Sequence, residues 1–124
     1  MIDNKVLFVD DSPTMRRIIK NSLQKIGFNE LIEAEHGIDA LEKIEGEDVG
    51  LILSDWNMPE MNGKQLVEKL KSNPKYKDIP IIMITTRGVK EDVISAVKLG
   101  VAGYVVKPFT PDILKGKIQK ALGK

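Results

Sequence analysis

Short apolar runs alternate along this chain with amphipathic stretches, and this alternation restricts the possible folds more than any other feature. All but the second of these runs are almost continuously apolar and end abruptly at a polar residue, which is typical of a buried strand. Strands are predicted over residues 6–9, 31–35, 49–53, 79–84 and 103–106. Strands separated by helices run parallel and are joined by right-handed crossovers. The pattern therefore predicts an α/β fold built on a parallel sheet.

A helix is predicted after each strand from the period of its apolar residues and from its capping residues. Ser12 and Pro13 begin the first helix, Gly27 ends it, and Thr110 with Pro111 begins the last. The predicted inward faces are Met15, Ile18, Ile19, Leu23 and Ile26 on the first helix, Val93, Ala96 and Val97 on the fourth, and Ile113, Leu114, Ile118, Ala121 and Leu122 on the fifth.

The second strand differs from the others because Glu33 and Glu35 interrupt its apolar residues. This alternation is typical of an edge strand with one face in water, whereas the continuously apolar strands belong inside the sheet. This pattern favours the strand order 2-1-3-4-5, which defines a doubly wound (βα)5 flavodoxin-like fold with helices on both faces. No linker or repeat interrupts the pattern, so we expect one domain over residues 1–124.

Composition excludes several classes of protein. The chain has no cysteine, which excludes disulfide scaffolds, thiolate zinc sites and cysteine nucleophiles. His36 is its one histidine, and its place before a helix predicts a cap rather than a metal ligand or a phosphohistidine. The formal net charge of +1 argues against nucleic-acid or membrane partners. Neither a signal peptide nor a membrane span is evident, so we expect cytoplasmic residence.

Charged and hydroxyl side chains stand at the carboxyl ends of the predicted strands, where open α/β sheets bind ligands. They are Asp10 and Asp11 after the first strand, Asp55 after the third, Thr85 after the fourth and Lys107 after the fifth. Taken singly, each has an ordinary structural explanation. Together, three carboxylates at one edge need protons or a cation, and their oxygens suit Mg²⁺. Such a site could receive a phosphoryl group, with Asp55 as the nucleophile and Lys107 neutralising charge.

Two other activities are conceivable on such a sheet. A phosphatase of the haloacid-dehalogenase type needs two aspartates separated by one residue, whereas Asp10 and Asp11 are adjacent. A flavodoxin-like FMN carrier needs hydroxyls and free amides after the first strand, whereas residues 10–13 offer negative charge and a proline without an N–H. Turnover of a phosphomonoester would support the phosphatase, and a colourless purified protein would exclude the flavin carrier.

Four ordered blocks of the sequence resemble the receiver domain of two-component response regulators. The blocks are Val9-Asp10-Asp11-Ser12, residues 55–63 (DWNMPEMNG), Ile84-Thr85 and Val106-Lys107-Pro108-Phe109. The resemblance runs over essentially the whole chain. Within the family it is strongest to the receivers of chemotaxis, on residues 14–18 (TMRRI), 55–59 (DWNMP) and 103–109 (GYVVKPF).

The resemblance implies a role for each matching residue. Asp55 would be the phosphoacceptor. Asp11, Asp55 and the backbone carbonyl of Asn57 would ligate Mg²⁺ directly, and Asp10 would hold it through water. Lys107 would contact the phosphoryl oxygens.

The resemblance also implies a conformational switch. The peptide bond between Lys107 and Pro108 would be cis. Thr85 would move toward the phosphoaspartate and let Tyr104 turn inward. This movement would alter the face formed by the fourth helix, the fifth strand and the fifth helix, as in a two-state switch biased by a local change of charge.

The implied partners are a chemotaxis histidine kinase as phosphodonor and the flagellar motor switch protein as target. Asn57 matches a residue that phosphatases engage, which leaves room for a dedicated phosphatase. Thr86 and Arg87 depart from the family's usual residues and flank the predicted phosphate, so they bear on the rate of hydrolysis. A receiver that acts as a phosphate sink or relay component without motor contact stays open as the alternative. In either case we expect a monomer that accepts phosphate without being a turnover enzyme.

Charge is unevenly distributed along the chain. Residues 85–124 hold eight basic and three acidic residues, a balance of +5, which leaves −4 for residues 1–84. A solvated lysine-rich face would explain this excess, and so would a docking surface for an acidic or amphipathic partner beside Tyr104.

Overall fold

Strands and helices alternate strictly in the computed structural model, which describes residues 5–56, 58, 61–85 and 90–123. Among these helices none is long and apolar enough to cross a membrane. The elements are β1 (Lys5–Val9), α1 (Pro13–Ile26), β2 (Leu31–Ala34), α2 (Gly37–Ile44), β3 (Val49–Asp55), α3 (Gly63–Lys71), β4 (Ile81–Thr85), α4 (Lys90–Lys98), β5 (Gly103–Val106) and α5 (Pro111–Ala121).

The described strands form one parallel sheet in the order β2-β1-β3-β4-β5, which confirms the predicted fold. The polar strand β2 lies at one edge and β5 at the other. The strand order reverses between β1 and β3, where Val9 is in register with Ser54. Ligands bind outside the carboxyl ends of the strands at such a point. The next residue of β3, Asp55, is in register with Ile84 of β4.

Alternate side chains of the strands build one apolar core on each face of the sheet. Helices α2, α3 and α4 cover the first core, where Leu7, Ile52 and Met83 are buried. Helices α1 and α5 cover the second, where Phe8 and Leu53 are buried. Since both faces are covered, the inner strands are apolar throughout, as a parallel sheet requires.

The buried faces of three helices differ from those that their apolar residues predict. On α1, Ile18 is 44% exposed, whereas Arg16 and Ser22 are buried. Val97 on α4 and Ile113 on α5 are also more than half exposed. These three inward assignments were wrong. A helix packed on a sheet buries positions three or four residues apart. An apolar residue directly before or after such a position in sequence points away from the sheet and faces water.

The predicted caps are confirmed. Ser12 and Thr110 each accept a backbone N–H from the third residue beyond them, at the starts of α1 and α5. Gly27 ends α1 with a φ of 122°, a conformation that favours glycine. His36 caps α2, because its Nδ1 accepts the backbone N–H of Asp39 at 3.1 Å.

Candidate functional site at the carboxyl ends of the strands

The turn after β1 and the end of β3 bring three carboxyl groups together. One oxygen each from Asp10, Asp11 and Asp55 lies within 4.8 Å of the other two. Asp10 and Asp55 are buried, whereas Asp11 is exposed. Carboxylate oxygens with one side open to water are the donor set that Mg²⁺ prefers. The cluster could therefore hold the metal ion that the sequence predicts.

The ammonium group of Lys107 lies among these carboxyl groups. Its Nζ donates to Oδ2 of Asp10 at 2.7 Å and lies 3.6 Å from Oδ1 of Asp55. A backbone hydrogen bond holds the start of this side chain. The N–H of Lys107 donates to the carbonyl of Thr85 at 2.6 Å, and the peptide bond to Pro108 is cis. A positive charge from the end of β5 thus reaches the acidic turn of β1.

Asp55 is only 8% exposed, and the pKa of its carboxyl group reflects this burial. Burial is the largest cause that raises the pKa of Asp55, to about 6. The positive charge of Lys107 opposes the rise, whereas the negative charges of Asp10 and Asp11 add to it. A cation in the cluster would favour the ionised carboxylate, which is the nucleophilic form.

Asp10 is held at both its backbone and its side chain. Its N–H donates to the carbonyl of Ala34 on β2 at 3.2 Å. Its Oδ1 accepts the N–H of Ser12 at 2.9 Å, and its Oδ2 accepts from Lys107. Its carbonyl accepts from Nη1 of Arg16 at 2.8 Å. Sequence reasoning missed Arg16, and the signal that could have found it is its place three residues before Ile19 on the inward line of α1.

The first residue of α3 lies directly against the end of β3. The N–H of Gly63 donates to the carbonyl of Trp56 at 2.9 Å. A Cβ on Gly63 would lie 2.5 Å from the carbonyl oxygen of Asp55 and 2.9 Å from Cα of Trp56, so the close approach requires glycine. Trp56 itself is buried, which places the chain's one tryptophan directly beside the acidic site.

The remaining predicted site residues fall into two groups. Thr85 is fully buried at the carboxyl end of β4, and Tyr104 is partly buried on β5, where it packs against the core beneath α2, α3 and α4. Asn57, Thr86 and Arg87 lie outside the described residues.

Comparison with known proteins agrees with this geometry. Residues 6–119 match the response regulator receiver domain. The chemotaxis protein CheY1 of Helicobacter pylori is 56% identical over 120 residues, which cover 96% of this chain and 97% of that protein. A chemotaxis protein CheY homolog of Campylobacter jejuni is 55% identical over 120 residues, with 96% and 92% covered. The solved structure of Vibrio cholerae CheY4 superimposes with a TM-score of 0.91 at 36% identity, covering 98% of this chain and 100% of that one.

The chain therefore belongs to the response regulator receiver family. Its relatives at 55–56% identity are named CheY, so within that family it is a receiver of the CheY type.

Proposed function

We propose that this chain is a cytoplasmic phosphorylation switch of chemotaxis. Asp55 accepts a phosphoryl group from a histidine kinase in a Mg²⁺-dependent reaction, and the phosphorylated protein binds the flagellar motor switch protein. The protein is consumed and regenerated as an acceptor and is not a turnover enzyme. The observation that carries the proposal is the buried Asp55 carboxyl group, with the oxygens of Asp10 and Asp11 on one side and the ammonium of Lys107 3.6 Å away.

The chemistry follows from these positions. An oxygen of Asp55 attacks the phosphorus of a phosphohistidine, the new O–P bond forms as the N–P bond breaks, and the imidazole leaves with its electron pair. Lys107 neutralises charge on the transferring oxygens from a fixed position. Mg²⁺, held by Asp10, Asp11 and Asp55, would supply further positive charge beside those oxygens. Thr85, at the end of β4, donates its hydroxyl to the transferred group.

The surface that binds the partner protein is formed by exposed apolar side chains and is called here the output face. It comprises Ile94 and Val97 of α4, which are 43% and 66% exposed, and Val106 of β5, which is 44% exposed. Val105 points into the core beneath α1 and α5, so Tyr104 and Val106 share the opposite side of the strand, next to α4. The output face also belongs to the basic part of the chain, which suits an acidic amphipathic partner.

Acetyl phosphate with Mg²⁺ provides the direct test. We expect the wild-type protein to gain the mass of one phosphoryl group, and Asp55→Asn to gain none. Asp48→Asn is the matched control, because it removes the charge of an exposed aspartate at the other end of β3. Undiminished labelling of Asp55→Asn would refute the proposed acceptor.

Trp56 fluorescence tests the metal site and the output separately. Because Trp56 is buried beside Asp55, its emission should change on titration with Mg²⁺ and again on addition of beryllofluoride, a mimic of the phosphoryl group. A switch-protein peptide is then added. Absence of a Mg²⁺ response would contradict the metal site, and a full response without peptide binding would favour the phosphate sink.

A further inference from the structure

The guanidinium group of Arg16 is buried between α1 and the ends of two strands, although the proposed phosphoryl chemistry gives it no part. Its side chain is 10% exposed. Nη1 donates to the Asp10 carbonyl at 2.8 Å, and Nε donates to Oε2 of Glu33 on β2 at 2.6 Å. Nη2 lies 3.9 Å from Oε1 of Glu35. One side chain of α1 thus ties the turn after β1 to the edge strand.

The carbonyl that Arg16 binds belongs to the peptide group that leads into Asp11. A peptide group is planar, so a hydrogen bond at its oxygen sets the orientation of the whole group and the direction in which the Asp11 backbone continues. The Asp11 carboxylate forms no hydrogen bond or ion pair with another of the described side chains. The direction of its backbone therefore decides where this carboxylate can reach.

We infer that Arg16 is a positioning residue for the metal site. It clamps the Asp10–Asp11 peptide group to Glu33 of β2 and so directs the Asp11 carboxylate toward Asp55. This inference rests on the proposed function, because it assumes that the two carboxylates share a cation. Loss of a group that orients a metal ligand typically costs about 10- to 100-fold in metal affinity or activity.

A purely electrostatic role of Arg16 predicts the opposite change in Mg²⁺ affinity from a positioning role. The direction of the change on removing Arg16 therefore tests the inference. A positive guanidinium near the cluster repels Mg²⁺, so its removal should tighten metal binding if Arg16 acted only through its charge. If Arg16 served only to stabilise the fold, its removal would lower the free energy of unfolding and leave the affinity of the folded protein unchanged. A positioning role alone predicts weaker binding.

Arg16→Met removes the guanidinium and keeps most of the apolar stem. We expect the dissociation constant for Mg²⁺, measured by Trp56 fluorescence at a temperature where the protein is folded, to rise roughly tenfold or more. Arg17→Met is the matched control, because it makes the same change of charge at the exposed neighbouring position of α1. An affinity of Arg16→Met equal to or tighter than that of Arg17→Met would overturn the inference.

Glu33 provides a second test in case Arg16→Met does not fold. Glu33 is exposed, and Glu33→Ala releases the guanidinium from β2 without emptying a buried position. Glu33→Gln removes the same charge but keeps an oxygen that can accept from Nε. We expect Glu33→Ala to bind Mg²⁺ several-fold more weakly than Glu33→Gln, and equal affinities would count against the clamp.

The wild-type titration separates this inference from the proposed function. If the wild-type protein shows no response to Mg²⁺, the proposed metal site itself is wrong. If the wild type responds and the Arg16 and Glu33 variants bind as tightly as their controls, the site stands and only the positioning role is wrong.

Discussion

At the scale of single residues, the carboxyl group of Asp55 links reactivity to stability. Burial above all raises its pKa to about 6, from 3.8 for an aspartate in water. The folded protein therefore binds a proton at Asp55 more tightly than the unfolded chain does. It follows that the contribution of Asp55 to the free energy of unfolding of the metal-free protein falls as the pH rises from about 4 to about 6, because ionising a buried group costs free energy in the folded state.

Asp55→Asn should consequently stabilise the metal-free protein at pH 8. The asparagine removes the buried charge, and we expect the free energy of unfolding to rise by up to about 3 kcal/mol. At about pH 3, below the ordinary pKa of 3.8, Asp55 is largely protonated in both states, so the difference that comes from its ionisation should vanish. Urea unfolding in EDTA at the two pH values measures this. The idea fails if the two proteins are equally stable at pH 8, or if the exposed control Asp48→Asn shows the same dependence on pH.

Gly63 is a residue for which the structure leaves no space for a side chain. The Cβ of Gly63→Ala would meet the Asp55 carbonyl oxygen at 2.5 Å and the backbone of Trp56 at 2.9 Å. We expect the free energy of unfolding to fall by about 1–3 kcal/mol, as for other overpacked sites.

Gly116 provides the control for this substitution. It lies within α5, and a Cβ there would have nothing within 4 Å. Gly116→Ala should raise the free energy of unfolding by roughly 0.5–1 kcal/mol, because alanine loses less backbone entropy in a helix. Denaturant melts of both variants give the comparison, and a neutral Gly63→Ala would contradict the close packing of the start of α3 against Asp55 and Trp56.

At the scale of elements, the sequence predicts features that depend on polarity along the chain. It misses features that depend on the direction in which individual side chains point. The edge position of β2 follows from its polar residues, whereas the apolar strand β5 also lies at an edge, which polarity does not predict. By contrast, β3 was predicted to end at residue 53, whereas it continues through Ser54 and Asp55, because these polar residues stay buried in register with their neighbours. The acidic cluster was predictable since it stands at strand ends. Arg16 was missed because a charged residue is assigned to the exposed face of a helix by its polarity, although its position is in phase with the buried Ile19.

The start of α2 depends on an unusual cap. His36 accepts the Asp39 N–H at 3.1 Å through Nδ1, a ring nitrogen. The common capping residues, such as serine, accept this bond through a side-chain oxygen instead. His36→Ala should lower the free energy of unfolding by about 0.5–2 kcal/mol. His36→Asn restores an acceptor of similar reach and should recover most of the loss. Thermal or urea melts measure both, and an alanine variant as stable as the asparagine variant would show that the cap contributes little.

At the scale of the whole molecule, the net charge of +1 conceals two regions of opposite sign. Residues 1–84 sum to −4 and contain the three carboxyl groups of the metal site, whereas residues 85–124 sum to +5 and contain the output face. A cation is thus attracted to one region and an acidic partner to the other. Lys107 joins the two, because it follows the strand of the output face and its Nζ contacts Asp10 at 2.7 Å.

This separation predicts that partner binding can be removed without harm to the metal site. Val97→Glu places a negative charge on the most exposed apolar side chain of the output face. We expect the beryllofluoride-bound variant to bind a switch-protein peptide at least about tenfold more weakly, as for loss of a central apolar contact. Its Mg²⁺ affinity should stay that of the wild type, because Val97 lies on the outer side of α4.

Ile18→Glu is the matched control for the output face. Ile18 is an exposed aliphatic residue of α1, which covers the opposite face of the sheet from α4. Fluorescence anisotropy of the labelled peptide gives both affinities. If Ile18→Glu weakens peptide binding as much as Val97→Glu does, the partner does not select the α4 side, and overall charge rather than the output face governs recognition. If only Val97→Glu weakens peptide binding, the partner binds on the α4 side of the molecule, next to β5. Lys107, which reaches the acidic site, directly follows this strand.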